Sequence, residues 1–137
     1  MPMVQAEILT AARNLMERTD VATAGLWPRA TALLARQALE AALDELWRVR
    51  APGMEQCSVR AQLLCLSYYL QDEPLAERVS YAWAGLSRAC HQHPYELLPT
   101  ASELEASLLA VQQLVEKVSG LRSSLPITDA IPRPRGS

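Results

Sequence analysis

The residues best suited to chemistry in this 137-residue chain lie together in the segment Arg88–Tyr95. Both histidines of the chain, His91 and His93, belong to this segment, and Arg88 precedes them. An arginine supplies a permanent cation that holds a phosphate or a carboxylate, and a histidine moves protons near neutral pH. Brought side by side, the two groups can bind a phosphodiester and transfer its protons. The segment is therefore the first candidate for a functional site.

The proline at position 94 decides whether these side chains can meet. Because proline disfavours the helical conformation of the residue before it, the preceding helix should end at or before His93, at about Cys90 or His91. Side chains five residues apart on a continuous helix point about 140° away from each other. A helix end between Arg88 and His93 frees the imidazole to turn back towards the guanidinium group. A simpler alternative is that both cations only stabilise a helix C-terminus, by up to about 1 kcal/mol.

The composition predicts that helices position this segment. Half of the residues are apolar, and they are rich in alanine and leucine, with no phenylalanine. Alanine and leucine are strong helix formers, whereas the β-branched and aromatic residues that favour strands are scarce. The net charge is −2, so no global basic field indicates bulk nucleic-acid binding. The sequence therefore predicts an all-α protein in which any nucleic-acid contact is local.

Apolar periodicity and helix-breaking residues predict five helices. Because the links between them are short, we expect an up-and-down helical bundle of four to five helices. The bundle is expected to be a single domain over residues 1–122, followed by a flexible tail over residues 123–137 that contains proline, serine and arginine. The predicted helices are Val4–Thr19, Pro28–Arg50, Ser58–Gln71, Asp72–His91 and Thr100–Gly120.

Several short patterns support these boundaries. Asp72 fits an N-cap, Thr100 and Glu103 form a capping box, and Gly120 fits a C-terminal cap. The third helix shows apolar residues at helical spacing, and its predicted buried stripe is Val59, Leu63, Leu66 and Leu70.

The face of the fourth helix that carries Arg88 predicts a contact surface. Tyr81, Ala84 and Gly85 share that face. Glycine costs about 1 kcal/mol relative to alanine inside a helix, which suggests a packing reason for Gly85. Two adjacent small residues let another backbone approach closely, either in the same chain or in a second copy. We therefore assign these three residues to a predicted dimer interface.

The spacing Arg88-x4-His93-x-Tyr95 resembles the Arg-x4-His-x-Tyr signature of HEPN domains, in the form found in the toxins of HEPN/MNT toxin–antitoxin pairs. An apolar helix leads into the motif, and Glu96-Leu-Leu follows it before the last helix. The alanine-rich second helix, residues 35–43, is similar to the second element of such bundles. The resemblance covers about residues 28–120 in helix order.

This resemblance implies a metal-independent endoribonuclease that acts as a homodimer and leaves 2′,3′-cyclic phosphate ends. Arg88 would steady the phosphate, His93 would act as general base or acid, and Tyr95 would support the site and be the position that a partner nucleotidyltransferase antitoxin modifies. The acidic residue that many HEPN domains add is best matched by Glu40, in a row with Arg36 and Asp44. His91 is a second supporting candidate.

A non-catalytic function is an alternative to the enzymatic one. The same bundle would serve as a helical interaction or dimerisation module with a degenerate motif, either as a homodimer or by docking another protein through the Ala84/Gly85 face. A zinc site built on Cys90, His91 and His93 is not favoured, because structural zinc sites use four ligands, usually in two separated pairs. The sequence predicts no metal and no cofactor.

The remaining expectations concern location and membranes. Three cysteines are an odd number without scaffold spacing, which favours reduced thiols. The first residues lack the pattern of a secretory signal, and no apolar run approaches a membrane span of roughly 18 residues. We therefore expect a cytoplasmic protein with no membrane association, with RNA and an antitoxin or other protein as candidate partners.

Overall fold

The computed structural model describes residues 2–17, 27–91 and 99–124. These residues form five α-helices and one short 3₁₀-helix, and no strand occurs among them, so the all-α prediction is confirmed. The helices are α1 (Pro2–Glu17), α2 (Trp27–Arg50), α3 (Val59–Leu70), α4 (Glu73–Cys90) and α5 (Ala101–Ser124), with the 3₁₀-helix at Met54–Gln56 between α2 and α3.

The helix starts follow from local side-chain chemistry. The Asp72 carboxylate accepts a hydrogen bond from the backbone N–H of Leu75 at 3.2 Å and caps α4. Thr100 and Glu103 bond each other's backbone N–H, at 2.9 and 3.1 Å, and this confirms the predicted capping box of α5. Both caps satisfy N–H groups that have no partner inside the helix. They therefore fix where α4 and α5 begin on either side of the candidate segment.

The predicted end of the last helix is wrong. We expected Gly120 to terminate it, but α5 continues through Gly120 to Ser124. Leu121 is partly buried against the core, and this packing offsets the helix-breaking tendency of one glycine. The predicted domain limit at residue 122 stays a prediction, because residues 125–137 lie outside the described part of the chain.

Helix α2 is the centre of the bundle and contacts α1, α4 and α5. Helix α4 also packs on α5, whereas α3 contacts mainly α4 and the 3₁₀-helix. Contacts pair the start of one helix with the end of the next: Gln5 of α1 reaches the carbonyl oxygen of Ala41 at 3.3 Å, and Asp72 before α4 pairs with Lys117 of α5 at 3.8 Å. Helices α1 and α2 are therefore antiparallel to each other, and so are helices α4 and α5.

The core is built from leucine, alanine and valine around one tryptophan, Trp47, which is completely buried. Small residues of α2 let its neighbours approach closely, since Ala32, Ala35 and Ala38 are all fully buried. The largest fully buried side chains are Trp47, Leu39, Leu43, Leu46, Leu66, Leu70, Leu86, Leu104, Leu108, Leu114, Val79 and Val111.

The predicted stripe of α3 is only half correct. Leu66 and Leu70 are buried, whereas Val59 and Leu63 are only partly buried at the edge of the core. Their place is taken by Gln62, whose side chain accepts a hydrogen bond from the Trp47 indole at 2.8 Å. Helix α3 lies at the periphery, so one side of it faces other helices and the rest is exposed.

In the described part of the chain, no helix combines the length and the apolar character that crossing a membrane would require.

Candidate functional site

The candidate site is organised by the end of α4. Arg88 lies in the last turn, the helix ends at Cys90, and His91 is the C-cap, whose backbone N–H donates to the carbonyl oxygen of Ser87 at 3.1 Å. This end point agrees with the boundary that Pro94 predicts. The other two predicted catalytic residues, His93 and Tyr95, lie outside the described residues, as does the segment that joins them to α5.

Polar side chains of α2 and α4 meet beside this helix end, and we call Arg36, Glu40, Trp83 and His91 the polar cluster. The Arg36 Nε donates to Glu40 Oε2 at 3.0 Å, and the Trp83 indole Nε1 donates to the same oxygen at 3.3 Å. Arg36 Nη1 lies 3.3 Å from His91 Nε2. The structure therefore connects both predicted supporting residues, Glu40 and His91, through Arg36.

The contact between Arg36 and His91 selects one state of the imidazole. A guanidinium group can only donate hydrogen bonds, so His91 Nε2 must be the unprotonated acceptor in this arrangement. The ring proton of His91 is then on Nδ1. In this state the Nδ1–H of His91 can donate a hydrogen bond.

Arg36 is the electrostatic centre of the polar cluster. The hydrogen bond to Glu40 is the main reason that the pKa of Arg36 is raised, with the Glu40 charge and the Cys90 thiol adding to it and burial opposing it. The guanidinium carbon also lies 6.0 Å from the centre of the Trp83 ring, within the range of a cation–π contact. Glu40 and Trp83 thus fix the position of a permanently charged group.

Asp44, the third member of the predicted α2 row, takes no part in these contacts. Desolvation raises the pKa of its carboxyl group, the charges of Glu55 and Glu40 add to this, and Arg48 opposes it. No hydrogen bond or ion pair links Asp44 to another described residue. Of the three residues in this row, only Arg36 and Glu40 therefore belong to the polar cluster at the end of α4.

Arg88 is exposed on a different side of α4, where it lines a groove between α4 and α5. Its positive charge contributes to a lowered pKa of Glu103, although the hydrogen bonds from Thr100 are the larger cause. Within residues 2–17, 27–91 and 99–124, Arg88 makes no hydrogen bond or ion pair. Its guanidinium group is exposed at the edge of this groove.

The groove, which we call the α4/α5 groove, has a volume of about 830 Å³. Buried Ala82, Leu86 and Ala89 of α4 and Leu104 and Ala110 of α5 line its floor. Small side chains on both helices leave the space open. The charged residues along its rim are Glu77, Arg78, Arg88 and Glu103.

The predicted interface residues lie at or beside this groove. Tyr81 lines it with 80% of its surface exposed, and Gly85 lines it as well. Ala84 is half-buried and is not part of the lining. A Cβ atom added at Gly85 would meet only Arg88 Nη2, at 3.9 Å. No described part of the chain therefore requires glycine at this position.

A metal centre finds no support among the described residues. No group of three or more histidine, cysteine, aspartate or glutamate side chains there is arranged to hold a metal ion. Cys57, Cys65 and Cys90 are free thiols, of which Cys57 is exposed. His93, the third ligand of the zinc alternative, lies outside the described residues.

No protein-family model, curated protein or solved structure matches this chain.

Two features of the site were not predicted from the sequence. The indole N–H of Trp83 donates to Glu40 Oε2 at 3.3 Å, a contact that no spacing in the sequence indicates. Arg36 was placed in a row with Glu40, but its contact with His91 depends on the packing of α4 against α2. A helical pattern shows which residues share a face, but it does not show which face of another helix they meet.

Proposed function

We propose that this protein is a HEPN-like, metal-independent endoribonuclease that acts as a homodimer. The observation that supports the proposal is the polar cluster, which gathers a fixed arginine, a carboxylate and a histidine where the chain enters the Arg88-x4-His93-x-Tyr95 motif. Phosphodiester cleavage needs a cation for the phosphate and a group that moves protons, and the segment supplies both.

In the proposed reaction His93 removes the proton from a ribose 2′-hydroxyl, and the 2′-oxygen attacks the adjacent phosphorus. The bond from phosphorus to the 5′-oxygen breaks, and the protonated imidazole returns its proton to that oxygen. The products are a 2′,3′-cyclic phosphate and a 5′-hydroxyl. Arg88 stabilises the negative charge on the phosphoryl oxygens, while Tyr95 supports the site and offers a hydroxyl for modification by an antitoxin partner.

Glu40 and His91 would act as positioning residues. Glu40 holds Arg36, and Arg36 holds His91 at the end of α4. Loss of Glu40 would release Arg36 and loosen the start of the motif segment.

The test is cleavage of several single-stranded RNAs by the purified full chain in EDTA, with the ends identified by mass spectrometry. We expect His93→Ala to lower the rate by at least about 100-fold without changing the circular dichroism spectrum. His91→Ala is the matched control, because it removes the neighbouring imidazole and should cost less. A wild-type protein that is inert on every RNA, or a His93→Ala variant that is equally active, contradicts the proposal.

A second candidate function is a non-catalytic helical interaction module, and the α4/α5 groove favours it. An exposed tyrosine beside a groove floored by small apolar residues is typical of a protein contact surface. Gly85→Leu adds bulk to the groove lining at a position where a Cβ atom would meet only Arg88 Nη2, at 3.9 Å. A change of oligomeric state with the fold retained supports this function, whereas an unchanged state excludes the face.

A further inference from the structure

We propose that α4 packs antiparallel on α4 of a second copy through the face that carries Glu77, Tyr81 and Arg88, with a two-fold axis at the height midway between Ala82 and Trp83 along the helix. In this arrangement Tyr81 of each copy covers Ala84 and Gly85 of the other. Glu77 of each copy pairs with Arg88 of the other. The inference rests on the second candidate function, self-association through the α4/α5 groove, and does not require RNA cleavage.

The charges on α4 are self-complementary about that axis. Glu77 and Arg88 lie equally far before and after the midpoint between Ala82 and Trp83, and the same holds for Tyr81 and Ala84. At 100° per residue these four positions fall within about 40–60° of one another on one side of the helix. A two-fold axis therefore brings each glutamate opposite an arginine and each tyrosine opposite a small residue.

Within the described part of the chain, Glu77 and Arg88 take part in no salt bridge, although the Arg88 charge acts on Glu103 across the groove. Both Glu77 and Arg88 are exposed, and neither forms an ion pair or a hydrogen bond with another described residue. Arg78 differs, because its guanidinium group already donates to the Gln113 side chain. The two-fold axis would join Glu77 and Arg88, which are two exposed charges on this face of α4.

The shape of the groove fits the same partner. Tyr81 is 80% exposed, and an aromatic side chain that enters a pocket on the partner is a common centre of an interface. Gly85 offers such a pocket, since only the tip of Arg88 lies within 4 Å of an added Cβ atom. By symmetry each copy supplies one tyrosine and one pocket, which makes the contact closed and limits it to a dimer.

The register also assigns a role to Arg88. With a helical rise of about 1.5 Å per residue, the two Arg88 side chains lie roughly 16 Å apart along the helix axes. They therefore sit at opposite ends of the contact, each beside a glutamate of the other copy. In this arrangement Arg88 is an interface residue that positions the end of α4.

Charge reversal tests the pairing. Because of the symmetry, Glu77→Arg or Arg88→Glu alone replaces two attractive pairs by two repulsive ones. We expect each single variant to weaken dimerisation at least about tenfold in sedimentation velocity over a concentration series, and the double variant to return within about threefold of the wild type. Glu7→Arg on α1 and Arg29→Glu on α2 reverse exposed charges outside the groove, and they should change nothing.

A tyrosine pair provides an independent test that involves no charge. Tyr81→Ala should weaken the dimer at least about tenfold. Tyr68→Ala is the matched control, because Tyr68 is also exposed, at 76%, but lies on α3 outside the groove. Circular dichroism and thermal unfolding of every variant establish that the fold is retained.

Three results would overturn the inference: a wild type that is monomeric at all concentrations, a double charge-reversal variant as weak as the single ones, or equal behaviour of Tyr81→Ala and Tyr68→Ala. The RNA assay run on the same samples separates the two proposals. A monomeric wild type that cleaves RNA overturns the inference and the homodimeric part of the proposed function, but supports the proposed cleavage activity. If the double charge-reversal variant restores the dimer but the protein cleaves no RNA, the dimer inference is supported and the cleavage proposal is contradicted.

Discussion

The contact between Trp47 and Gln62 offers a sharp test of how α3 is held on the bundle. Trp47 is fully buried, Gln62 is 4% exposed, and the indole Nε1 donates to Gln62 Oε1 at 2.8 Å. The amide Nε2 of Gln62 in turn donates to the carbonyl oxygen of Cys57 at 2.9 Å. One side chain therefore links the core of α2 to the chain that enters α3.

Replacing Gln62 by methionine preserves the length of the side chain and its helix propensity but removes both hydrogen bonds. The Trp47 N–H is then buried without an acceptor, and a stranded donor costs about 1–3 kcal/mol. The Cys57 carbonyl costs less, because Cys57 is exposed and water can replace the amide. We expect Gln62→Met to lower the free energy of unfolding by about 2 kcal/mol.

The measurement is urea unfolding followed by circular dichroism at one protein concentration, since self-association would make stability depend on concentration. Gln37→Met, on the exposed face of α2, is the matched control and should lie within about 0.5 kcal/mol of the wild type.

A double-mutant cycle isolates the hydrogen bond. Trp47→Phe removes the donor and leaves Gln62 Oε1 without its partner, whereas the double variant contains neither polar group. The double variant should therefore be less destabilised than the sum of the single variants by at least about 1 kcal/mol. If the two effects add within about 0.3 kcal/mol, the buried hydrogen bond does not stabilise the fold and the reasoning fails.

Three further predictions test other parts of the structure. Thr100→Ala should lower the free energy of unfolding by about 1 kcal/mol and should raise the depressed pKa of Glu103, measured by NMR titration. Because the pKa of Glu103 in the folded protein lies below its unfolded value, the ionised carboxylate stabilises the fold above about pH 4.3. This stabilisation is lost as the pH falls through the folded pKa. The opposite sign applies to Asp44, whose pKa is raised by desolvation. Asp44→Asn should therefore slightly stabilise the protein at pH 7 in urea unfolding, and this gain should vanish below about pH 4. Leu108→Ala, at a fully buried position, should lower the thermal midpoint and cost about 3 kcal/mol; a loss below about 1 kcal/mol would contradict its place in the core.

The start of a helix could be predicted wherever the signal is local. Asp72 and the Thr100–Glu103 pair act on backbone groups within three residues, so their spacing alone identifies them. The end of α4 at Cys90 follows in the same way from Pro94, four residues further on. Gly120 gave the wrong end for α5 because a local preference of about 1 kcal/mol is smaller than the gain from packing the turn that contains Leu121.

The same distinction between local and long-range contacts applies to the candidate site. The sequence predicts that Arg88 and His91 lie near each other at the end of a helix, because they are close in the chain. The sequence does not predict the polar cluster, because Arg36 and His91 are 55 residues apart and meet only through the packing of α2 on α4. The groove beside Arg88 likewise depends on the distance between α4 and α5, and no residue pattern predicts that distance.

The amino-acid sequence by itself determined that the chain is helical, where α4 and α5 begin, and that Arg88 stands near a helix terminus with two histidines close behind it. These properties depend on backbone propensity and on contacts within a few residues, which follow directly from residue order. Only the tertiary structure decided that Glu40 and His91 share Arg36, while Arg88 faces a groove on another side of α4. The direction of a side chain relative to a distant helix is set by how the helices pack, and that is a property of the whole bundle.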